Sequence, residues 1–322
     1  MRAIRFSQTG GPEVLELVEV ETPAPGPDQI LIRHEAIGIN FIDTYFRSGL
    51  YPAKLPSGLG SEGAGVVEAV GEEVTRFKVG DLAAYAGASG GYADYMVLPA
   101  DRAVHVPKGL DANTAAAALL KGMTAEFLLR RLHAVQPGEA ILVHAAAGGV
   151  GQILVQWAKA LDAVVIATVG SEAKAARARE LGADHVILYR DQDVAAEVRR
   201  ITSGKGVTVA YDSVGKATFE GTLGSLARRG LFVSFGNASG PPPPVEPGRL
   251  MRAGSLFFTR PTMFDYTLTT EELDASAAAL FAVIGSGKVK IEIGQTFPLT
   301  EARKAHEALE SRQTIGASVL IP

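Results

Sequence analysis

The stretch A-A-A-G-G-V-G, Ala145 to Gly151, follows directly on the apolar run Ala140, Ile141, Leu142 and Val143. Small residues there let the backbone turn sharply out of a strand and approach a pyrophosphate, whose charge then faces the N-terminus of the next helix. The helix is legible in its own right, because Val150, Ile153, Leu154, Trp157, Ala158 and Leu161 keep the spacing of one buried helical face. Glycines in such a turn can also serve strand and helix packing alone. Their place between a strand and an amphipathic helix, with more such units beyond, favours nucleotide binding.

Working outward, strands are expected at Ala163 to Val169, His185 to Leu188, Val207 to Tyr211 and Leu231 to Phe235, with helices at Ser171 to Leu181 and Asp193 to Ile201. This alternation implies a parallel sheet covered on both faces. Gly240 and the run Pro241 to Pro244 break it before a last strand candidate, Ser255 to Thr259, which contains Leu256, Phe257 and Phe258. An exposed apolar edge of that kind invites a second subunit, so a homodimer with a continuous sheet is expected. Upstream, Val14 to Val20, Gln29 to Ala36, Gly63 to Val70 and Tyr92 to Leu98 read as short strands of a glycine-rich barrel or sandwich reaching to about Leu120. Glu271 to Pro322 holds two helical patterns and a β-like end at Ser318 to Ile321, expected to rejoin the N-terminal domain.

With 322 residues, 47% apolar and 20% charged, the chain can bury about two cores. Its longest apolar runs, such as Ala115 to Leu120, are too short to cross a bilayer, and Met1 to Gly10 lacks the apolar core of a secretory signal. Cytoplasm is the expected compartment, with no membrane partner. The absence of cysteine excludes disulfides and thiolate metal sites. A net charge of −4, without long basic runs, argues against nucleic acid as a partner. The histidines at 34, 105, 133, 144, 185 and 306 show no paired ligand spacing and read as packed or surface residues.

Enzymes of this fold that use NAD commonly end the second strand in Asp or Glu to accept the ribose 2′-hydroxyl. Here it ends in Thr168, Val169 and Gly170. Ser171 can cap the next helix, yet Lys174 stands in its first turn, where a cation opposes the helix dipole. A bound 2′-phosphate removes that conflict and favours NADPH, although Glu172 could still reach a ribose hydroxyl.

Eight separated stretches then match in order: G-I-N-F-I-D-T-Y at Gly38 to Tyr45, R-S-G-L-Y-P at Arg47 to Pro52, L-P-S-G-L-G-S-E at Leu55 to Glu62, K-G-M-T at Lys121 to Thr124, H-A-A-A-G-G-V-G at His144 to Gly151, Y-D-S-V-G at Tyr211 to Gly215, V-S-F-G-N at Val233 to Asn237 and E-S-R at Glu310 to Arg312. By these the chain resembles, over essentially its whole length, the zinc-independent NADPH:quinone oxidoreductases of the medium-chain dehydrogenase/reductase superfamily, the zeta-crystallin-like group. The resemblance implies an α/β fold: a Rossmann-type doubly wound parallel sheet for NADPH over residues 124–261, and a GroES-like β-barrel catalytic domain from residues 1–123 and 262–322. Zinc-dependent relatives read G-x-C-x-x-D and G-H-E where this chain has Asn40 and Ser61. Losing a thiolate and an imidazole leaves too few ligands, so no metal is expected.

Carried onto matching residues, the resemblance places Gly149 and Val150 by the pyrophosphate, and Gly170, Ser171, Lys174, Tyr189 and Arg312 at the adenosine phosphate. Phe235, Gly236, Asn237 and Pro261 would line the nicotinamide side, with Asn40, Phe41, Asp43, Thr124 and Ser213 around the cleft. Without a Lewis acid the substrate must itself be a good electrophile, as a quinone is, and catalysis rests on positioning and on donors near the developing oxyanion. Asn40, Tyr45 and Tyr51 are the donor candidates. Asp43 and Arg47 have a plainer reading, pairing with each other to order their loop. Reduction of an enal or enone double bond is the alternative activity, and a zeta-crystallin-like structural or RNA-binding role the second alternative.

Overall fold

The computed structural model describes residues 1–312 and 314–322. In chain order it runs β1 (Arg2–Phe6), β2 (Glu16–Glu19), β3 (Gln29–Ile39), α1 (Phe41–Ser48), β4 (Ser57–Gly58), β5 (Glu62–Val70), β6 (Leu82–Ala86), β7 (Tyr95–Pro99), β8 (Ala103–His105) and α2 (Ala112–Phe127). There follow β9 (Ala140–His144), α3 (Gly149–Ala160), β10 (Val164–Val169), α4 (Glu172–Glu180), β11 (His185–Leu188), α5 (Val194–Ile201), β12 (Val207–Asp212), α6 (Phe219–Ser225), β13 (Leu226–Ser234), α7 (Pro247–Arg252), β14 (Phe257–Thr259) and α8 (Met263–Tyr266). The last elements are α9 (Thr270–Gly285), β15 (Ile293–Pro298), α10 (Ala302–Glu310) and β16 (Ala317–Ile321).

Two compact units divide the chain. The first comprises Met1–Met123, Thr267–Gly285 and Ile291–Pro322, the second Thr124–Tyr266 and Ser286–Lys290. In the second, six parallel strands lie in the order β11-β10-β9-β12-β13-β14, so the strand order reverses between β9 and β12. Open α/β sheets bind ligands outside the carboxyl ends of the strands at such a reversal. α3 buries Ile153, Leu154, Val155, Trp157 and Ala158, each large apolar side chain contributing roughly 1.5–3 kcal/mol on burial. α4 is mostly polar and buries only Ala175 and Ala178, small residues that let it lie close to its neighbours.

The first unit carries a seven-stranded sheet, β15-β16-β3-β5-β6-β8 with β7 also on β3, and a three-stranded sheet, β2-β1-β4. The C-terminal strand β16 runs antiparallel to β3, pairing Ser318 with Ile39 and Leu320 with Ile37. Two helices interrupt a region whose sequence reads as strands. α1 starts at Asn40, whose backbone N–H donates to Asp43 Oδ2 at 2.8 Å, and stops at Gly49, where φ is +82°. α2 buries Ala115 to Leu119 with no exposure, so its alanines give no polar face to read. Gly38 is needed beside it, because a Cβ there would stand 2.2 Å from the Ala116 carbonyl oxygen and 2.3 Å from Glu62 Oε2.

Candidate active site

In the second unit the glycine turn leaves the carboxyl end of β9 with Ala145 at φ +52°, and Gly148 N–H donates to Ala145 O at 2.9 Å. α3 then begins, with Gly148 as its N-cap and Gly149 and Val150 in its first turn. A Cβ on Gly151 would sit 2.2 Å from Ala145 O and 2.8 Å from Ala146 Cα. Only glycine fits there, so the packing reading of this residue holds whatever binds outside. The turn still leaves the N-terminus of a twelve-residue helix at the sheet's reversal, a favourable place for an anion.

The next strand end, β10, assembles the adenosine-side candidates. Gly170 has no room for a side chain: its Cβ would lie 2.7 Å from the Tyr189 hydroxyl and 3.4 Å from Arg190 Nε. Tyr189 N–H donates to Val169 O at 3.2 Å, which ties the two segments together. Ser171 caps α4 by accepting from Lys174 N at 3.4 Å. Gly170, Ser171, Lys174 and Tyr189 are thus neighbours. Arg190 joins them as a second cation that sequence reading passed over, although its place beside Tyr189 in the Y-R-D stretch marks it.

At the ends of β12 and β13, Gly236 packs on Ser213, whose carbonyl oxygen would be 2.4 Å from a Cβ. Phe235 N–H donates to Asp212 O and Ala238 N–H to Ser213 O. Arg260, next to Pro261, donates to Gly236 O at 3.1 Å. These contacts bring Ser213, Phe235, Gly236, Asn237 and the Pro261 segment together. Behind them Asp212 Oδ1 accepts from Val214 N and Gly215 N, while Thr222 bridges Asp212 to His144 Nε2 at 2.8 and 2.9 Å. His144 Nδ1 meets Thr168 Oγ1 at 2.8 Å, and burial lowers its pKa, so a neutral ring ties the ends of β9, β10 and β12. Thr124, on α2, is almost fully buried.

The first unit holds the remaining candidates. Asn40 donates through Nδ2 to Glu62 Oε2 at 2.9 Å, with its second contact to Gly38 O at 3.5 Å. Glu62 is sealed from solvent and also accepts from Lys121 Nζ at 2.8 Å and Leu120 N at 2.6 Å. Asp43, equally sealed, accepts from Asn40 N and the Tyr92 hydroxyl on Oδ2, and from Ser61 Oγ at 2.8 Å on Oδ1. Burial pushes its carboxyl up to about 6, against the pull of those donors and of Lys121.

Asp43 and Arg47 do not pair. The buried Arg47 guanidinium instead donates to Gly10 O, to His306 Nδ1 at 3.0 Å and to Glu310 Oε1 at 2.6 Å. Their i, i+4 spacing on α1 would permit a pair, but both Asp43 oxygens are taken by Asn40 N, Tyr92 and Ser61, and Glu310 of α10 takes the guanidinium. Tyr92 closes the circuit, reaching His306 Nε2 at 3.2 Å. Tyr45 is buried and Tyr51 partly so, their rings edge to face at 5.3 Å, with Tyr51 N–H on Tyr45 O. Phe41 packs on the core beside α1. Arg312 lies just past α10 and is exposed.

The chain matches the family described as alcohol dehydrogenase GroES-like domain over residues 26–108, and that described as zinc-binding dehydrogenase over residues 149–282. It is 54% identical to the quinone oxidoreductase of Pseudomonas aeruginosa, over 100% of this chain and 99% of that one. The chain belongs to the quinone oxidoreductase family of the medium-chain dehydrogenases/reductases. Among solved structures, Escherichia coli quinone oxidoreductase complexed with NADPH superposes with a TM-score of 0.98 at 49% identity, covering 100% of both chains. A second branch is represented by the 2-haloacrylate reductase of a Burkholderia species, 44% identical over 97% of this chain and 96% of that one.

Membership in this quinone oxidoreductase family frames the fold as a Rossmann-type doubly wound sheet joined to a GroES-like domain. Zinc, named in one matched description, does not fit the donor set: an amide and a hydroxyl, already engaged by Glu62 and Asp43, stand at the two ligand positions. Among the described residues no group of three His, Cys, Asp or Glu side chains could hold a metal ion. No helix among them is long and apolar enough to cross a membrane.

Proposed function

We propose that this chain is an NADPH-dependent reductase of quinones. The observation that carries the reading is the end of β10, where Gly170 packs against Tyr189 and Arg190 and leads through Ser171 into the helical turn of Lys174, the strand itself ending without a carboxylate, in a chain matched end to end by quinone oxidoreductases. The nucleotide site suits its ligand: Gly151 lets the turn close against β9, Gly170 lets Tyr189 and Arg190 approach the end of β10, α3 offers its N-terminus, and the cations Lys174 and Arg190 suit a 2′-phosphate. Gly149 and Val150 would hold the pyrophosphate; Ser171, Lys174, Tyr189, Arg190 and Arg312 the adenosine phosphate; Thr124, Ser213, Phe235 to Asn237 and Pro261 the nicotinamide end.

When bound, NADPH supplies a hydride. The chain's own residues then orient the acceptor and stabilise the oxygen that gains charge, a task for preorganised donors. Tyr45 and Tyr51 are assigned that role. Asn40 is assigned a positioning part, because its amide hydrogens point at Glu62 and Gly38. Phe41 and the sealed Asp43 act from behind Asn40 on the same helix.

The match to 2-haloacrylate reductase favours one second reading, reduction of an activated carbon–carbon double bond. NADPH oxidation measured against quinones, enones, 2-haloacrylates and alcohols separates the two. Turnover highest with quinones supports the proposal, turnover confined to the alkenes replaces it, and turnover with alcohols alone overturns both. We further assign a homodimer joined along β14, the edge strand of the parallel sheet, where Phe257 is 60% exposed, and a cytoplasmic location. Light scattering of Phe257→Lys beside the parent chain tests the dimer.

A further inference from the structure

The polar circuit of the first unit has a direction. Arginine can only donate, so the Arg47 guanidinium obliges His306 Nδ1 to accept and leaves the imidazole proton on Nε2. Burial and the neighbouring Arg47 charge push this histidine down to about 3 and keep it neutral. Its Nε2–H therefore donates to the Tyr92 oxygen, and the Tyr92 hydroxyl turns its own hydrogen to Asp43 Oδ2. Asn40 N–H donates to that same oxygen. With two donors fixed on Oδ2, a proton binding to Asp43 goes to Oδ1, whose partner is Ser61 Oγ.

Exit through Tyr92 is barred, because reversing that bond would require His306 to present a bare Nε2 and turn an N–H toward the arginine. Ser61 can reverse: its hydroxyl can donate to the carboxylate, or accept from the carboxylic acid and turn its hydrogen outward. Asp43, His306 and Tyr92 have no exposure, whereas Ser61 keeps 6%. The charged and titratable groups around Asp43 are Arg47 on its own helix, Lys121 on α2, Glu62 on β5, Tyr85 on β6, Tyr92 before β7 and His306 on α10. Lys121 is matched by Glu62 and Arg47 by Glu310, which leaves the Asp43 charge without a partner of its own.

We propose that Asp43 and Ser61 form the proton donor of the reductase, Ser61 as the catalytic hydroxyl and Asp43 as the positioning and proton-storing residue behind it. This rests on the reductase reading above. After the acceptor has taken the hydride and its electron pair, its oxygen anion removes the Ser61 hydroxyl proton, and Ser61 Oγ takes the proton from Asp43 Oδ1. One O–H bond forms on the product, the carboxyl O–H breaks, and the serine ends as it began. The Asp43 carboxylate is reprotonated from solvent through Ser61 once product leaves.

The test uses the full-length Ser61→Ala, Ser61→Thr and Asp43→Asn variants with quinone and NADPH, beside infrared titration of the resting protein. Removal of a positioned acid costs about 100-fold or more in turnover. Ser61→Ala and Asp43→Asn should lose about that factor in kcat while the NADPH dissociation constant, read by fluorescence, stays within about twofold; Ser61→Thr, which keeps the hydroxyl, should restore most of the loss. The parent kcat should decline as pH rises above about 6, and that limb should vanish in Asp43→Asn. A protonated-carboxyl band titrating in the same range should be present in the parent and absent in Asp43→Asn. Parent-like kcat and pH profile in Ser61→Ala overturn the proposal, as does an Asp43 ionised across the whole range. Should Asp43→Asn fail to fold, the serine pair and the parent's infrared titration decide alone. A parent chain inactive with every acceptor refutes the reductase reading, while the infrared result still tests the Asp43 proton.

Discussion

The glycine turn of the second unit and the polar circuit of the first solve opposite problems. The turn must keep side chains out, and its work is done by backbone groups, by Gly151 pressed on Ala145 O and by Gly170 beneath the Tyr189 hydroxyl. The circuit must keep charges in, and it satisfies them with one another: Glu62 with Lys121, Arg47 with His306 and Glu310, Asp43 with Ser61 and Tyr92. A site of the first kind tolerates change at its exposed rim and fails on added atoms. One of the second kind fails on lost partners.

The sharpest way to break this contrast is Lys121→Met, which leaves the Glu62 carboxylate buried beside Asn40 without its cation. Breaking one side of a buried ion pair costs about 3–5 kcal/mol, so urea unfolding should show a loss of that order; a loss under about 1 kcal/mol, the range of a surface pair, would remove the distinction. Next comes acid. Burial holds His34 down to about 4 and His306 to about 3, so the stability their neutral forms contribute is complete above 6.5 and is lost as pH falls from there toward those values. Asp43, pushed up to about 6, acts in the opposite sense, its buried charge costing stability as pH rises from 3.8. His34 and His306, with the buried His144 lowered in the same sense, stand against one carboxylate and predict net destabilisation on acidification below 6.5, and His306→Gln should flatten the curve, since glutamine can accept from Arg47 and donate to Tyr92 without titrating.

In the turn, Gly151→Val should cost about 1–3 kcal/mol through overpacking and should abolish measurable NADPH binding; retained binding would mean that the turn is not where the pyrophosphate sits. At its rim, Lys174→Ala should leave the melting temperature unchanged and raise the KM for NADPH about tenfold, or about 1.4 kcal/mol, with NADH unaffected. An equal rise for both would remove the 2′-phosphate assignment. Smallest of all, Tyr51→Phe should lower quinone turnover severalfold, within the worth of one hydrogen bond, at constant NADPH affinity.

How far each region was legible follows from the same contrast. The turn is local: strand, small residues and amphipathic helix lie within about twenty positions, and the alternation beyond them gave the strands of the parallel sheet, His185–Leu188 to the residue. The circuit draws on positions 43, 61, 92 and 306, which share no spacing, and no periodicity could have joined Arg47 to His306 across 259 residues. The sequence reading therefore paired Arg47 with Asp43, its neighbour. α2 stayed hidden because a helix buried on every side has no polar stripe, and β15 because its residues alternate between partly buried and exposed with no buried position. Arg190 was missed because its contact with Gly170 depends on how β11 ends beside β10.

The pairing of β16 with β3 carries a consequence for synthesis. The second unit is almost one continuous stretch, so it can close while the ribosome is still at work, and domains do tend to fold as units during translation. The first unit cannot. The Ile37–Ile39 end of its strand β3, beyond the stretch that β7 pairs, waits with that edge unpaired until Ala317–Ile321 arrives, and α10 must deliver His306 and Glu310 before Arg47 has its partners. Until then the N-terminal third of the chain holds a strand end without its partner and an arginine without its counter-charge, an exposed edge of the kind that invites aggregation during synthesis.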